Sequence, residues 1–223
     1  MALGRRAAER LVRDAAALGL GALDPEAVLA ELVRLGSYRF GTAQGIVRLE
    51  ARLGAQSGAP ELIGATRALG PEPRTWNAIS ARHDGPHALA PGAKLARPDV
   101  EAAREAALAA GAQEALLFDA RGLLVEGARA NVVLVREDGA LRTPALALGC
   151  VRGLALAVLR EALPEIAEAE LTRADLARAS ELIAVNSVRG ARAIARLDGA
   201  SIGSEPAPGP VCERLAAILR AAA

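Results

Sequence analysis

Of the 27 lysine and arginine residues in this chain of 223, one is lysine, Lys94, and the other 26 are arginine. Arginine replaces lysine in most surface roles because both carry a positive charge on a long stem. At ordinary pH, however, a guanidinium cannot form a Schiff base with a carbonyl compound. Lys94 is therefore a candidate nucleophile; the plain alternative is a chance survivor on a solvated loop. It follows a turn-rich stretch in Pro91-Gly92-Ala93-Lys94, where small residues leave room for a cofactor and a domain junction offers a cleft. Other constellations are poorer. His83 and His87 have the i, i+4 spacing of a helical zinc pair, but Gly85-Pro86 between them forbids the helix, and a loop histidine is the simpler reading. Gly19-Leu20-Gly21 lacks the preceding strand and third glycine of a dinucleotide turn. Cys150 and Cys212 stand in no paired motif and read as buried thiols of a reducing compartment. Spacing suggests no Ser-His-Asp or Cys-His nucleophile arrangement.

The elements that must position Lys94 follow from composition and periodicity. With 52% apolar and 2% aromatic residues, the chain folds around an aliphatic core. A net charge of +1 gives no basic excess for a nucleic acid. Apolar runs are broken by charge well short of the ~20 residues of a membrane span, and the N-terminus lacks a signal peptide's apolar stretch, so a cytoplasmic protein is expected. Ala8, Leu11, Val12, Ala15 and Leu18 predict a helix over 5–19. A second helix fits 25–35, with Asp24 as N-cap, Pro25 at its first position and Gly36 as its stop. Alternation predicts a strand over 46–53, with shorter ones at 61–66 and 77–82. These make a small α+β domain over 1–88, linked through the turn formers of 83–92 to a larger domain over 89–223. There the pattern predicts a helix from Pro98 to about Ala110 and strands at 114–119, 123–125, 131–136 and 141–143. Helices at 153–162 and 173–179, a buried strand at 182–185 and a closing helix at 212–222 complete it.

Four segments then fall in a specific order: Gly111-Ala-Gln-Glu-Ala-Leu-Leu-Phe-Asp119, Val125-Glu-Gly-Ala-Arg-Ala-Asn131, Arg142-Thr-Pro144, and Asn186-Ser-Val-Arg-Gly190 leading to Leu197-Asp-Gly199. From Lys94 to about Gly199 the chain resembles the class IV (fold-type IV) pyridoxal-phosphate enzymes: branched-chain and D-amino-acid aminotransferases and 4-amino-4-deoxychorismate lyase. The resemblance implies a mixed α/β, two-domain fold with a small N-terminal α+β domain and a larger domain carrying a barrel-like sheet. Its cofactor would be pyridoxal 5'-phosphate. The Schiff-base lysine falls on Lys94, and the acid opposite the pyridine nitrogen falls on Glu126. A carboxylate there stabilises the protonated ring that makes the cofactor an electron sink; by spacing alone Glu126 reads as a solvated residue at a strand end. Gly153, Leu154 and Ala155 match the Gly-Ile-Thr line whose amides hold the phosphate, with alanine in place of the threonine hydroxyl. Ser187 and Val188 match the family's phosphate loop; the alternative is a turn serine capping its own backbone. Glu9-Arg-Leu-Val-Arg-Asp-Ala-Ala-Ala-Leu-Gly-Leu20 is similar to the family's first helix, which puts the phosphate-reaching arginine on Arg10, a surface arginine otherwise.

The chain also departs from the pattern. Leu95-Ala96-Arg97-Pro98 stands where an asparagine-leucine or a tyrosine would touch the cofactor, Arg152 replaces a proline, and Met1 falls where family members already have strands behind them. The Asn-Ser-Val-Arg-Gly line is more like the lyase branch than the Gly-Thr line of branched-chain aminotransferases. The expected reaction is formation of 4-aminobenzoate and pyruvate from 4-amino-4-deoxychorismate, in a homodimer acting on a small amino substrate. The alternatives are amino transfer to a 2-oxo acid and a non-catalytic remnant of the family.

Overall fold

The computed structural model describes residues 2–41, 43–86, 90–203 and 207–222. Two compact units part between Glu72 and Pro73. The first holds α1 (Ala2–Ala17), α2 (Pro25–Phe40), β1 (Gly45–Leu53) and β2 (Pro60–Ala68). α2 starts as its sequence predicts: the Asp24 carboxylate accepts the N–H groups of Glu26 and Ala27 at 3.1 and 3.3 Å. It does not stop at Gly36. It runs on to Phe40 and ends at Gly41, where φ is +57°. Packing overrides the local signal. The missing side chain of Gly64 makes room for Leu35, whose Cδ1 lies 2.4 Å from where a Cβ would stand, and Gly45 makes room for the Phe40 ring in the same way. β1 and β2 form an antiparallel pair in unbroken register, from Gly45↔Ala68 to Leu53↔Pro60.

The second unit holds β3 (Thr75–Arg82), α3 (Pro98–Ala109), β4 (Glu114–Phe118), β5 (Leu124–Gly127), β6 (Asn131–Val135) and β7 (Leu141–Pro144). It continues with α4 (Leu154–Ala162), β8 (Ala167–Ala169), α5 (Arg173–Ala177), β9 (Glu181–Asn186), β10 (Gly190–Leu197), β11 (Ala200–Ser201) and α6 (Pro210–Ala221). The boundary expected between 88 and 89 thus falls earlier. Periodicity identifies β3 as a strand but not the sheet that receives it, and it lies between β4 and β10, parallel to both.

One mixed sheet runs β5-β4-β3-β10-β9-β6-β7-β8, with β11 on β10. It curls: a bridge pairs Leu123 with Thr172, and Leu124 N–H donates to Leu171 C=O at 2.8 Å, tying the start of β5 to the chain after β8. Trp76, Leu116, Phe118, Leu124, Val132, Leu134, Leu182 and Ile194 form the core on one face. On the other, Ala115 and Leu117 pack against Ala103 and Ala107 of α3, with Ile79 and Ala81 beside them. Both faces of β4 are covered, so Glu114–Phe118 is buried throughout, and after Glu114 it reads as the apolar run Ala115–Phe118. No helix among the described residues is long and apolar enough to cross a membrane.

Candidate active site

Glu126 lies on β5 opposite Leu117, on the face that α3 covers, and is 6% exposed. Burial raises its pKa to about 7, against a hydrogen bond from Val151 and the charges of Lys94, Arg97 and Arg104. Among the described residues its hydrogen-bond partner is the N–H of Val151, which donates to Oε2 at 2.9 Å. The other half of the same residue is held by Asn131, whose Nδ2 donates to Val151 C=O at 2.9 Å. Asn131 also explains the next glycine. A Cβ on Gly153 would stand 1.8 Å from Asn131 Oδ1, so the chain can enter α4 here only without a side chain.

Gly153 is the N-cap of α4 and offers no side-chain hydrogen bond. The first intrahelical bond runs from Ala157 N–H to Gly153 C=O, so the amides of Leu154, Ala155 and Leu156 form a positive helix end of the kind that binds phosphate. This end therefore begins three residues after Val151, whose N–H binds Glu126.

Lys94 lies exposed in the loop between β3 and α3, and its charge acts on Glu126. The loop is held at three places. Arg97 donates to Gly85 C=O at 2.7 Å and to both oxygens of Asp99, and Asp99 accepts Asp84 N–H. Burial alone would raise the Asp99 pKa, but the bonds from Arg97 and Asp84 outweigh it and bring it to about 2. Pro86 rests on Gly149, where a Cβ would stand 2.7 Å from Pro86 Cα. Arg152 N–H donates to Gly92 C=O at 2.9 Å. The segment 149–153 thus carries the Lys94 loop on one side and is bonded to Glu126 and Asn131 on the other.

Lys94, Glu126, Gly153, Leu154 and Ala155 are joined by this bonding. Ser187 and Val188 lie in the turn between β9 and β10, where Asn186 Oδ1 accepts the N–H groups of Val188 and Arg189 at 3.0 and 2.7 Å. Asn186, not Ser187, caps that turn, and the Val188 amide is already engaged. Arg10 lies half-buried on α1, in the first unit. His83 is 2% exposed, and its Nδ1 accepts Gly85 N–H at 3.1 Å. His87 lies outside the described residues, and no group of potential metal ligands is found among those described. Sequence reasoning missed Asn131, Gly92, Arg97 and Asp99 as supports of the site. Only the Asp/Arg pair two residues apart was open to sequence; the other contacts bridge distant parts of the chain.

A curled mixed sheet carrying a buried acid, a lysine loop and an open helix start defines a fold-type IV arrangement. The sequence profile of the amino-transferase class IV family matches residues 6–197, and the chain belongs to that family, whose members are pyridoxal-phosphate-dependent enzymes. Among solved structures, a putative 4-amino-4-deoxychorismate lyase from Legionella pneumophila superposes with a TM-score of 0.83 at 21% identity, covering 100% of this chain and 86% of its own. A hypothetical aminotransferase from Mycobacterium tuberculosis in its PLP-bound form gives 0.77 at 23% identity, with 96% and 81% covered. The branched-chain amino acid aminotransferase of Escherichia coli gives 0.79 at 20% identity, with 95% and 76% covered. These likenesses carry the fold. No curated protein sequence matches the chain.

Proposed function

We propose that this chain binds pyridoxal 5'-phosphate through Lys94 and acts on a small amino substrate as an aminodeoxychorismate lyase-like enzyme. The observation that supports it most is Glu126: a buried carboxylate with no cation bonded to it among the described residues, tied through Val151 to an uncapped helix start. A protonated ring nitrogen fits the first, and a phosphate fits the second. When bound, the cofactor supplies an electron sink for the carbon that bears the amino group. Glu126 holds the proton on the ring nitrogen. The amides of Leu154 and Ala155 and the Ser187 hydroxyl hold the phosphate. Lys94 would hold the cofactor through its amine and would take and return the proton at the substrate carbon. The Asn186-Ser187-Val188-Arg189-Gly190 line favours the lyase; amino transfer to a 2-oxo acid is the second reading, and a second copy of the chain is the expected partner.

One experiment tests the core of this reading. The purified protein is incubated with pyridoxal phosphate, reduced with borohydride and digested for peptide mapping. Lys94 is the single lysine, so the label is expected there, with the terminal amine as the only other site. A folded protein that leaves Lys94 unlabelled ends the proposal. Release of 4-aminobenzoate and pyruvate from 4-amino-4-deoxychorismate, against transfer dependent on a 2-oxo acid, separates the two reactions.

A further inference from the structure

The proline-to-arginine departure at 152 has a structural setting of its own. Its backbone N–H is used on Gly92 C=O, and its side chain crosses the same glycine. A Cβ on Gly92 would stand 2.9 Å from Arg152 Cγ, 3.3 Å from Cδ and 3.1 Å from Nε. Gly92 has φ +80°, so both its backbone and its missing side chain make the seat for this arginine. The stem is thereby laid along the Lys94 loop, two residues before Lys94. Arg152 also stands two residues before the first free amide of α4.

Its guanidinium is exposed and makes no hydrogen bond or ion pair with another described residue. Arg97, Arg104 and Arg160 differ. Arg97 is engaged by Asp99 and Gly85, Arg104 by Glu101 and Ala128, and Arg160 by Glu168. A guanidinium whose stem is seated while its planar donor fork is unused suits a carboxylate or phosphate, both of which accept two parallel N–H bonds.

We propose that Arg152 is an oxyanion-binding residue of this site, receiving a carboxylate of an acidic amino substrate or the phosphate of the cofactor. The assignment rests on Lys94 being the cofactor lysine, and its test is built to fail separately. Arg152→Met and Arg152→Lys are compared with the parent, all shown folded by circular dichroism. Calorimetry gives the affinity of the unloaded protein for 2-oxoglutarate and for inorganic phosphate, and absorbance titration gives that for pyridoxal phosphate.

Loss of one charge-assisted bidentate contact should weaken the bound anion by about tenfold or more in Arg152→Met. Arg152→Lys should recover part of it, which a purely structural defect would not allow. Weakened 2-oxoglutarate with unchanged phosphate and cofactor affinities assigns the carboxylate. Parallel weakening of inorganic phosphate and cofactor assigns the phosphate. If all three affinities stay within twofold while Lys94 is labelled, Arg152 is overturned and the functional reading stands. If Lys94 is unlabelled but Arg152→Met still weakens an anion, the site binds oxyanions and the cofactor reading falls.

Discussion

The two units use glycine for opposite ends. In the first, no residue of β1 or β2 is buried, each strand has one neighbour, and Gly45 and Gly64 admit Phe40 and Leu35 of α2. A lone pair of strands is marginal in water, so those glycines let a helix complete the hairpin. In the second, β4, β5 and β6 are buried at every residue, and two glycines that permit close approach, Gly92 and Gly153, seat Arg152 and Asn131 beside the candidate site instead of core. The sheet is secure without them, and they are available to position a site. Where burial is sufficient, close packing can serve function; where it is not, it serves stability.

The largest expected effect tests whether chemistry resides in the second unit. Lys94→Arg keeps the charge and loses the amine, so turnover should fall by on the order of 10³-fold or more. Because Lys94 is exposed, the melting temperature should not move. Retained turnover measured at saturating substrate would remove Lys94 from the reaction.

Core substitutions come next. Leu116, 0% exposed on β4, should cost about 2–5 kcal/mol as Leu116→Ala. Leu49 of β1 is only half-buried, and Leu49→Ala should cost about 1 kcal/mol by the same denaturant titration. Equal costs would break the contrast between the units.

Acidity gives the third test. Burial raises Glu114 to about 7 from an ordinary 4.5, against hydrogen bonds from Ala115 and Arg129 and the charges of Arg129 and Arg104. Between those values the folded chain holds a proton that the unfolded chain has released, so stability declines as pH rises. The contribution is complete below about 4.5 and lost through about 7. Glu114→Gln keeps an acceptor for the Ala115 and Arg129 amides and removes the titration. It should remove one carboxyl's share of the slope across that window, on the order of 3 kcal/mol, and leave the share of Glu126, which burial also raises to about 7. A parent profile that is already flat would mean the carboxyl stays ionised.

The last test concerns the seat at α4. Gly153→Ala should displace Asn131 from Val151 and cost about 1–3 kcal/mol, and Gly153→Ala in an Asn131→Ala background should cost less. Additive costs in that double-mutant cycle would show that the two residues do not share the seat.

Much of the second unit was legible because its signals are local. Proline at the first position of α3, turn formers between β4 and β7, and the short apolar runs of β4, β6 and β9 need no distant partner. Lys94 and Glu126 were singled out for another reason: ordered motifs around them resemble those of a family. β8, β10 and β11 were not expected. β10 is built largely of alanine and arginine, so its alternation does not stand out, and β8 and β11 are too short to show one. The end of α2 was misplaced because Gly36 is a stop by propensity, whereas the seating of Leu35 and Phe40 is a property of the hairpin.

The amino-acid sequence alone determined that this chain has an aliphatic core, one lysine in a field of arginines, and the ordered motifs that resemble the class IV family. The assignment of β3 to the large sheet, the burial of Glu126, and the Gly92–Arg152 and Asn131–Val151 bonds were decided only by tertiary structure. These depend on which segments meet across the fold, and periodicity reports each segment's own faces, not which faces are brought together.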